Sequence, residues 1–155
     1  GQEPMNRSAF DLSGIILGCV ELARPLLIER GITLTVDGPA LEITGDAEKL
    51  GMVVTNLLTN AIEYNHNGGA IKITLRRDNN LAVLTVSDTG RGISSADLPR
   101  LFDRFYRADK SRSSGNAGLG LAKSKAIVAA HGGTIDAAAG EQAGAVFTVR
   151  LPCSC

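Results

Sequence analysis

The sequence predicts an α+β fold in which helices cover one face of a mixed, largely antiparallel sheet. The elements follow in the order helix, strands, helix, hairpin, basic segment, helix, hairpin. A doubly wound parallel sheet would instead alternate strand with helix. At 155 residues and 44% hydrophobic content, the chain has the size and composition of one domain with an aliphatic core.

The first helix is predicted from apolar residues that recur at intervals of three and four after Phe10. Asp11 or Ser13 can cap its start, and Gly31 suits its end. Pro25 lies inside it and is expected to kink or break it. The apolar stripe consists of Ile15, Ile16, Cys19, Val20, Ala23, Leu26 and Leu27.

The middle of the chain predicts two strands, a second helix and a hairpin. Alternating residues indicate a strand over 32–36 and a shorter one near 41–44, and Asp46 can cap the helix that follows. Strands over 70–76 and 81–86 are expected to form an antiparallel hairpin. The buried stripe of the second helix consists of Leu50, Val53, Val54, Leu57, Leu58, Ala61 and Ile62.

The last part of the chain predicts a loop, a third helix and a final hairpin. Residues 94–117 contain five Lys and Arg and end in a Ser/Gly/Asn sequence typical of a loop. The third helix is predicted from Gly118 to about Ala130, and the hairpin pairs 134–138 with 145–151.

Composition excludes several classes of protein. Sixteen Lys and Arg balance sixteen Asp and Glu, so no basic field indicates a nucleic acid or an anionic membrane as partner. No apolar run approaches the roughly 18 residues of a membrane span, and no signal peptide is recognisable. Three cysteines form no disulfide framework, which indicates a reducing, cytoplasmic setting. Cys153 and Cys155 offer a metal only two ligands on a tail.

Asp88 is the first candidate binding residue. It follows a buried strand and precedes Gly90 and Gly92, whose missing side chains let a ligand approach the backbone. A carboxylate there can accept a hydrogen bond from a donor such as an exocyclic amino group. The alternative is an ordinary turn after a strand, because Asp and Gly are common in turns.

Two further features could bind phosphate and a cation. Asn56 and Asn60 lie one helical turn apart, and an amide oxygen suits Mg²⁺, although such residues also bridge to nearby backbone. Gly118-Leu119-Gly120 opens a helix, where unpaired N–H groups attract anions. The basic segment between the glycine sites is either a solvated surface or a lid that closes over a triphosphate. The sequence contains no Walker P-loop.

Four segments resemble the motifs of sensor histidine kinases. Residues 56–61 resemble the N box, 88–93 the G1 box, 101–107 the F box and 118–122 the G2 box. They occur in the family's order. The resemblance implies a Bergerat-type fold: a two-layer α/β sandwich with a five-stranded mixed sheet, three helices on one face and a flexible ATP lid near 94–117.

The resemblance also implies roles for residues at the base end of an ATP site. Asp88 would accept a hydrogen bond from the adenine amino group. Gly90, Gly92 and Ile93 would shape the base pocket, and Tyr64 would approach the ribose and phosphates.

At the phosphate end, the resemblance assigns Mg²⁺ to Asn60 and places Asn56 beside the phosphates. Backbone N–H groups would come from Gly118, Leu119 and Gly120. Lys110 and Arg112 would contact phosphate from the lid, which Phe102 and Phe105 would anchor. Two departures from the family pattern stand out: Glu63 replaces a frequent Lys or Arg, and Lys123 and Ser124 replace two apolar residues.

The expected activity is transfer of the ATP γ-phosphate to a histidine. Neither His66 nor His131 has the acidic neighbour of the family's phosphoacceptor, so residues 1–155 are expected to be one ATP-binding domain without the phosphoacceptor and dimerisation domain. The implied partners are that domain and a response regulator, and the implied parent is an inner-membrane sensor whose isolated domain is a monomer. The alternatives are a nucleotide-binding module without kinase activity and an ATP hydrolase. Asn56 argues against hydrolysis, because an amide cannot act as a base.

Overall fold

A five-stranded sheet with three helices against it makes up most of the structure. The computed structural model describes residues 4–103, 120–140 and 144–153. In chain order the helices and strands are β1 (Ser8–Asp11), α1 (Leu12–Arg30), β2 (Thr33–Asp37), β3 (Glu42–Gly45), α2 (Ala47–Glu63), β4 (Ala70–Asp78), β5 (Leu81–Asp88), α3 (Gly120–Ala130), β6 (Thr134–Ala139) and β7 (Ala145–Pro152). A short 3₁₀ turn covers Leu98–Arg100.

The main sheet has the strand order β2-β4-β5-β7-β6. The pair β2–β4 is parallel and the other three pairs are antiparallel, which confirms the predicted mixed sheet. β3 lies outside this sheet and pairs with β1. β1 is not predictable from local pattern, because Ser8–Asp11 is a short segment without alternating apolar residues and its partner lies more than thirty positions away.

The register of the strands separates a buried face from a polar face. The residues that enter the core beneath the helices are Ile71, Ile73, Leu75, Ala82, Leu84, Val86, Phe147, Val149 and Leu151. On the other face, Thr74 and Thr85 share a hydrogen bond, and Arg150 lies 3.5 Å from Asp136. Asp88 continues the buried set, opposite Ile71. The register therefore places its carboxyl group on the helix side of the sheet.

The first helix confirms its predicted caps, continues through the possible break at Pro25 and leaves one residue of the predicted apolar stripe exposed. Asp11 caps the start, and Gly31 ends the helix with φ of 64°. The helix is not broken at Pro25: it continues to Arg30. The proline and Glu21, whose carbonyl loses its helical partner, are both exposed, so water can satisfy that carbonyl. Leu26 is 47% exposed and does not belong to the buried stripe.

The second helix begins and packs as predicted. The side chain of Asp46 accepts a hydrogen bond from Lys49 N at 3.1 Å, and all seven residues of the predicted stripe are buried. The backbone N–H of Asp46 donates to Nε2 of the buried His131 at 3.0 Å. Nδ1 of this histidine lies 2.8 Å from the carbonyl oxygen of Ile127. His131 therefore ties the end of α3 to the start of α2.

Arg30 connects the ends of the first two helices. Its Nε donates to Oδ1 of Asn67 at 2.7 Å. Its two terminal nitrogens donate to the carbonyl oxygens of Ile62 and Asn65 at 2.8 and 2.5 Å. These bonds satisfy carbonyl groups at the end of α2, where no further helical turn follows.

Among the described residues, no helix combines the length and apolar character needed to cross a membrane.

Candidate functional site

A row of polar side chains runs along one face of α2. Asn56, Asn60 and Tyr64 follow one another at intervals of four residues and are partly exposed beside the buried stripe. Their span along the helix axis is roughly 12 Å, at about 1.5 Å per residue. Tyr64 is the C-cap, and its N–H donates to Asn60 O at 3.1 Å. The row therefore runs from the middle of α2 to its C-terminal end.

At one end of the row lies Asp88, which is only 5% exposed. Its Oδ1 accepts a hydrogen bond from Gly90 N at 2.8 Å, and the backbone N–H of Ala145 also donates to its carboxylate. Burial raises the pKa of Asp88, and these two backbone bonds oppose the rise. Asp88 is therefore a buried carboxylate that accepts hydrogen bonds from two backbone N–H groups.

The turn after Asp88 packs directly against the end of α2. A Cβ atom on Gly90 would overlap the carbonyl oxygen of Tyr64, which also accepts a hydrogen bond from Arg91 N at 3.3 Å. The guanidinium group of Arg91 lies 4.7 Å from the centre of the Tyr64 ring. Gly92 has φ of 76°, a conformation that favours glycine. The structure therefore brings the turn that contains Asp88 and Gly90 against Tyr64.

Ile93 and Gly144 complete this end. Ile93 is partly buried and packs against the core. Gly144, which is not among the predicted site residues, has φ of 78°, and a Cβ atom on it would overlap the carbonyl oxygen of Asp88. Its own carbonyl oxygen would lie 3.0 Å from a Cβ atom on Gly92. The nearby Gly140 marks a turn in the sequence, but only the pairing of β5 with β7 brings that turn to Asp88.

At the other end of the row, Asn56 contacts the start of α3. Its Nδ2 donates to the carbonyl oxygen of Gly120 and to Oγ of Ser124, both at 3.1 Å. Ser124 is completely buried, whereas the neighbouring Lys123 is exposed. Of the two residues of α3 that depart from the family pattern, Lys123 therefore faces solvent and Ser124 faces α2.

The amide oxygens at this end are suitable ligands for a hard cation. No hydrogen bond from residues 4–103, 120–140 or 144–153 reaches the amide oxygen of Asn56 or the side chain of Asn60. Within the same ranges, no group of three or more His, Cys, Asp or Glu could hold a metal ion. A magnesium ion here would rely on amide oxygens, waters and phosphate oxygens, which is a set that Mg²⁺ accepts.

Several predicted site residues lie outside the described residues: Phe105, Lys110, Arg112, Gly118 and Leu119. The beginning of the basic segment is described. Phe102 packs edge-on against Phe147 with ring centroids 6.3 Å apart, and Lys125 Nζ lies 5.9 Å from the Phe102 ring. Phe102 is therefore attached to the core. Cys153 is buried, and Cys155 is not among the described residues.

Comparison with known proteins agrees with this geometry. Residues 45–154 match the family described as “Histidine kinase-, DNA gyrase B-, and HSP90-like ATPase”. A 40% identical relative, the Escherichia coli “Probable sensor protein PcoS”, aligns over 151 residues, which are 95% of this chain and 32% of the relative. The chain thus spans about a third of that protein's length.

Two solved structures show the same fold. The catalytic domain of histidine kinase ThkA superposes with a TM-score of 0.87 at 26% identity, covering 96% of this chain and 97% of that one. Full-length ShkA, solved in complex with AMPPNP, superposes with a TM-score of 0.87 at 25% identity and covers 99% of this chain and 32% of its own. The chain belongs to the family of histidine kinase-, DNA gyrase B- and HSP90-like ATPases, and its fold is that of a histidine kinase catalytic domain.

Proposed function

We propose that this chain binds ATP with Mg²⁺ and transfers the γ-phosphate to a histidine on a separate phosphoacceptor domain, as one step of two-component signalling. The observation that carries the proposal is the row Asn56–Asn60–Tyr64, which joins a buried carboxylate at one end to the start of α3 at the other. A nucleotide site requires different groups at its two ends. The adenine amino group needs a hydrogen-bond acceptor, whereas the phosphates need a cation and N–H donors.

Asp88 binds the base in this proposal. The exocyclic amino group of adenine is a donor, and a carboxylate is acceptor-only when ionised. A buried charged acceptor discriminates strongly against a base that lacks the amino group, because it would be left unpaired. Gly90, Gly92 and Ile93 form the walls, and Tyr64 lies between the base and the phosphates.

Asn56 and Asn60 serve the phosphate end. Asn60 would hold Mg²⁺ through its amide oxygen, with Asn56 beside the phosphates, and the ion would supply positive charge against the phosphate oxygens. Gly118, Leu119 and Gly120 offer backbone N–H groups at the start of α3. Lys110 and Arg112 add positive charge from the lid near 94–117, which Phe102 and Phe105 anchor. None of these groups can remove a proton from water, which favours transfer to histidine over hydrolysis.

The wider setting belongs to the same proposal. Residues 1–155 form one catalytic domain of a longer inner-membrane sensor, in which this part lies on the cytoplasmic side. Its partners are the phosphoacceptor and dimerisation domain of that sensor and a response regulator, and the isolated domain is a monomer. Alignment to only 32% of PcoS supports the view that further domains complete the protein.

The test is phosphotransfer in trans. The chain is incubated with γ-labelled ATP, Mg²⁺ and a separately purified phosphoacceptor domain, and acid-labile phosphohistidine is measured on that domain. The expected result is labelling of the acceptor domain and none of this chain. Nucleotide binding without phosphohistidine would favour a regulatory module. Release of phosphate at a rate independent of the acceptor would identify a hydrolase.

A further inference from the structure

Ser124 is a buried serine in α3 whose hydroxyl group faces α2. Its exposed fraction is 0%, and its Oγ lies 3.1 Å from Nδ2 of Asn56. The other buried residues of this helix, Ile127 and Val128, are apolar. A buried hydroxyl group requires a hydrogen-bonding partner. Here the partner is the side chain that the proposed function places beside the phosphates.

The amide of Asn56 has two N–H bonds, and α3 accepts both. Gly120 and Ser124 are four residues apart, so they lie on the same face of α3. Because a carbonyl oxygen can only accept, the contact with Gly120 identifies the nitrogen of the amide on this side. Oδ1 is then the amide atom that remains available to a ligand, because no hydrogen bond reaches it from the part of the chain that the structure describes.

We propose that Ser124 is a positioning residue, which acts with the Gly120 carbonyl to hold the Asn56 amide so that its oxygen faces the magnesium and phosphate end of the site. The proposal rests on the proposed function and deepens it. Without Oγ, Nδ2 keeps a single acceptor, and the amide can rotate about χ2, whose energy wells are broad. Ser124 contacts no nucleotide in this proposal and acts only through Asn56.

Three substitutions at position 124 distinguish the effect of losing the hydroxyl group from the effect of changed packing. Ser124→Ala removes the hydroxyl group without adding volume. Ser124→Thr keeps it, and Ser124→Val replaces it in a side chain of nearly the same shape as threonine. Any cost of the extra methyl group is shared by Thr and Val. Ser13→Ala is the control, because it removes another serine hydroxyl that makes a 2.8 Å hydrogen bond at the start of a helix.

Affinity for AMPPNP is measured by calorimetry, once with Mg²⁺ and once with EDTA. In Mg²⁺, Ser124→Ala and Ser124→Val are expected to bind about three- to tenfold more weakly, as the loss of one hydrogen bond predicts. Ser124→Thr and Ser13→Ala stay within about twofold of the parent chain. In EDTA the four variants differ little, because the effect passes through the cation end.

A double-mutant cycle tests whether the effect passes through Asn56. Ser124→Ala added to Asn56→Ala is expected to cause no further loss. In the nucleotide-free chain, NMR should show slowly exchanging side-chain amide protons of Asn56, and these should exchange faster in Ser124→Ala but not in Ser124→Thr. Both readouts are independent of phosphotransfer.

Three results would overturn the proposal: wild-type affinity in Ser124→Ala, equal affinity of the Thr and Val variants, or additive losses in the double mutant. The proposed function has its own control, Asp88→Asn. If that variant loses affinity while the position-124 variants do not, only the role of Ser124 is wrong. If neither change affects AMPPNP binding, the ATP site itself is wrongly assigned.

Discussion

Gly144 lies so close to Asp88 that a Cβ atom at position 144 would overlap the Asp88 carbonyl oxygen. The two residues are separated by 56 positions in the sequence and meet because β5 pairs with β7. Gly144 also has φ of 78°, a backbone conformation that residues other than glycine rarely adopt. Alanine at this position is therefore strained in its own backbone and displaces the backbone that carries the proposed adenine-binding carboxylate.

Gly144→Ala is expected to lower the free energy of unfolding by about 1–3 kcal/mol and to weaken nucleotide binding. Gly18→Ala is a matched control, because a Cβ atom there meets nothing within 4 Å and the residue lies inside α1. That change should stabilise the chain by about 0.5–1 kcal/mol. Denaturant titration of both variants gives the comparison. Equal stability of the two would contradict the close approach of Gly144 to Asp88.

Asp88→Asn is expected to weaken ATP binding about tenfold to a hundredfold, because a hydrogen bond to a charged group contributes about 1.5–3 kcal/mol. The amide keeps the size of the side chain, so the variant should remain folded. Titration with ATP and with GTP measures the effect, since GTP lacks the adenine amino group. A variant that binds ATP as tightly as the parent chain would show that the carboxylate does not bind the base.

The pH dependence of Asp88 has opposite signs for stability and for binding. Because burial raises the pKa of Asp88, the folded state binds its proton more tightly than the unfolded state. As the pH falls from neutral toward 3.8, the ordinary pKa of an aspartic acid side chain, the parent chain should gain stability relative to Asp88→Asn. Over the same range its ATP affinity should fall, because the charged acceptor is lost.

The comparison of the two chains isolates Asp88 from other carboxyl groups. Backbone N–H groups of Asn6 and Lys49 lower the pKa of Asp46, so its contribution to stability is lost as pH falls. This loss occurs in both chains and cancels in their difference. Unfolding titrations across the acid range give the difference directly. A difference that does not change with pH would show that Asp88 is not desolvated.

Arg30→Lys is expected to lose most of the stability that Arg30→Ala loses, about 2 kcal/mol or more. The guanidinium group reaches three acceptors at once, and an ammonium group cannot reproduce that planar arrangement. Arg24→Lys is the control, because Arg24 is an exposed residue paired with Glu21 on the same helix. Its midpoint of thermal unfolding should stay close to that of the parent chain.

His131→Ala is expected to destabilise the chain by about 2–4 kcal/mol, because it removes a buried ring and leaves the Asp46 N–H without its acceptor. His66→Ala, at an exposed position, should change little. Neither change should abolish labelling of the phosphoacceptor domain once both variants are measured below their unfolding temperatures. Loss of labelling in a folded His131 variant would show that this histidine takes part in the reaction.

Local patterns in the sequence were enough to predict most elements. The caps Asp11, Gly31 and Asp46 act within a few residues, and the stripe of α2 follows from helical spacing alone. The helix continues past Pro25, and Leu26 is exposed. Both findings depend on which side of α1 faces water, which the apolar pattern did not resolve. The parallel pairing of β2 with β4 joins distant segments that no local pattern relates.

The candidate site divides in the same way. The turn after Asp88 and the asparagines of α2 were predicted from residues close together in the sequence. The contacts that Asp88 makes with Gly144 and Ala145, and that Asn56 makes with Ser124, join segments far apart in the chain. Ser124 departs from the family pattern, but its burial against α2 depends on the packing of two helices, which the sequence alone does not reveal.

The parallel strand pair β2–β4 determines where the molecule could be shortened. The family match begins at residue 45, although Thr33–Asp37 hydrogen-bonds to β4 and α1 supplies part of the core. A recombinant piece cut at that point would expose an unprotected sheet edge and an uncovered apolar surface, both of which invite aggregation. Because Asn6 N also bonds to Asp46 at 3.0 Å, the smallest piece suited to expression begins at or before Asn6.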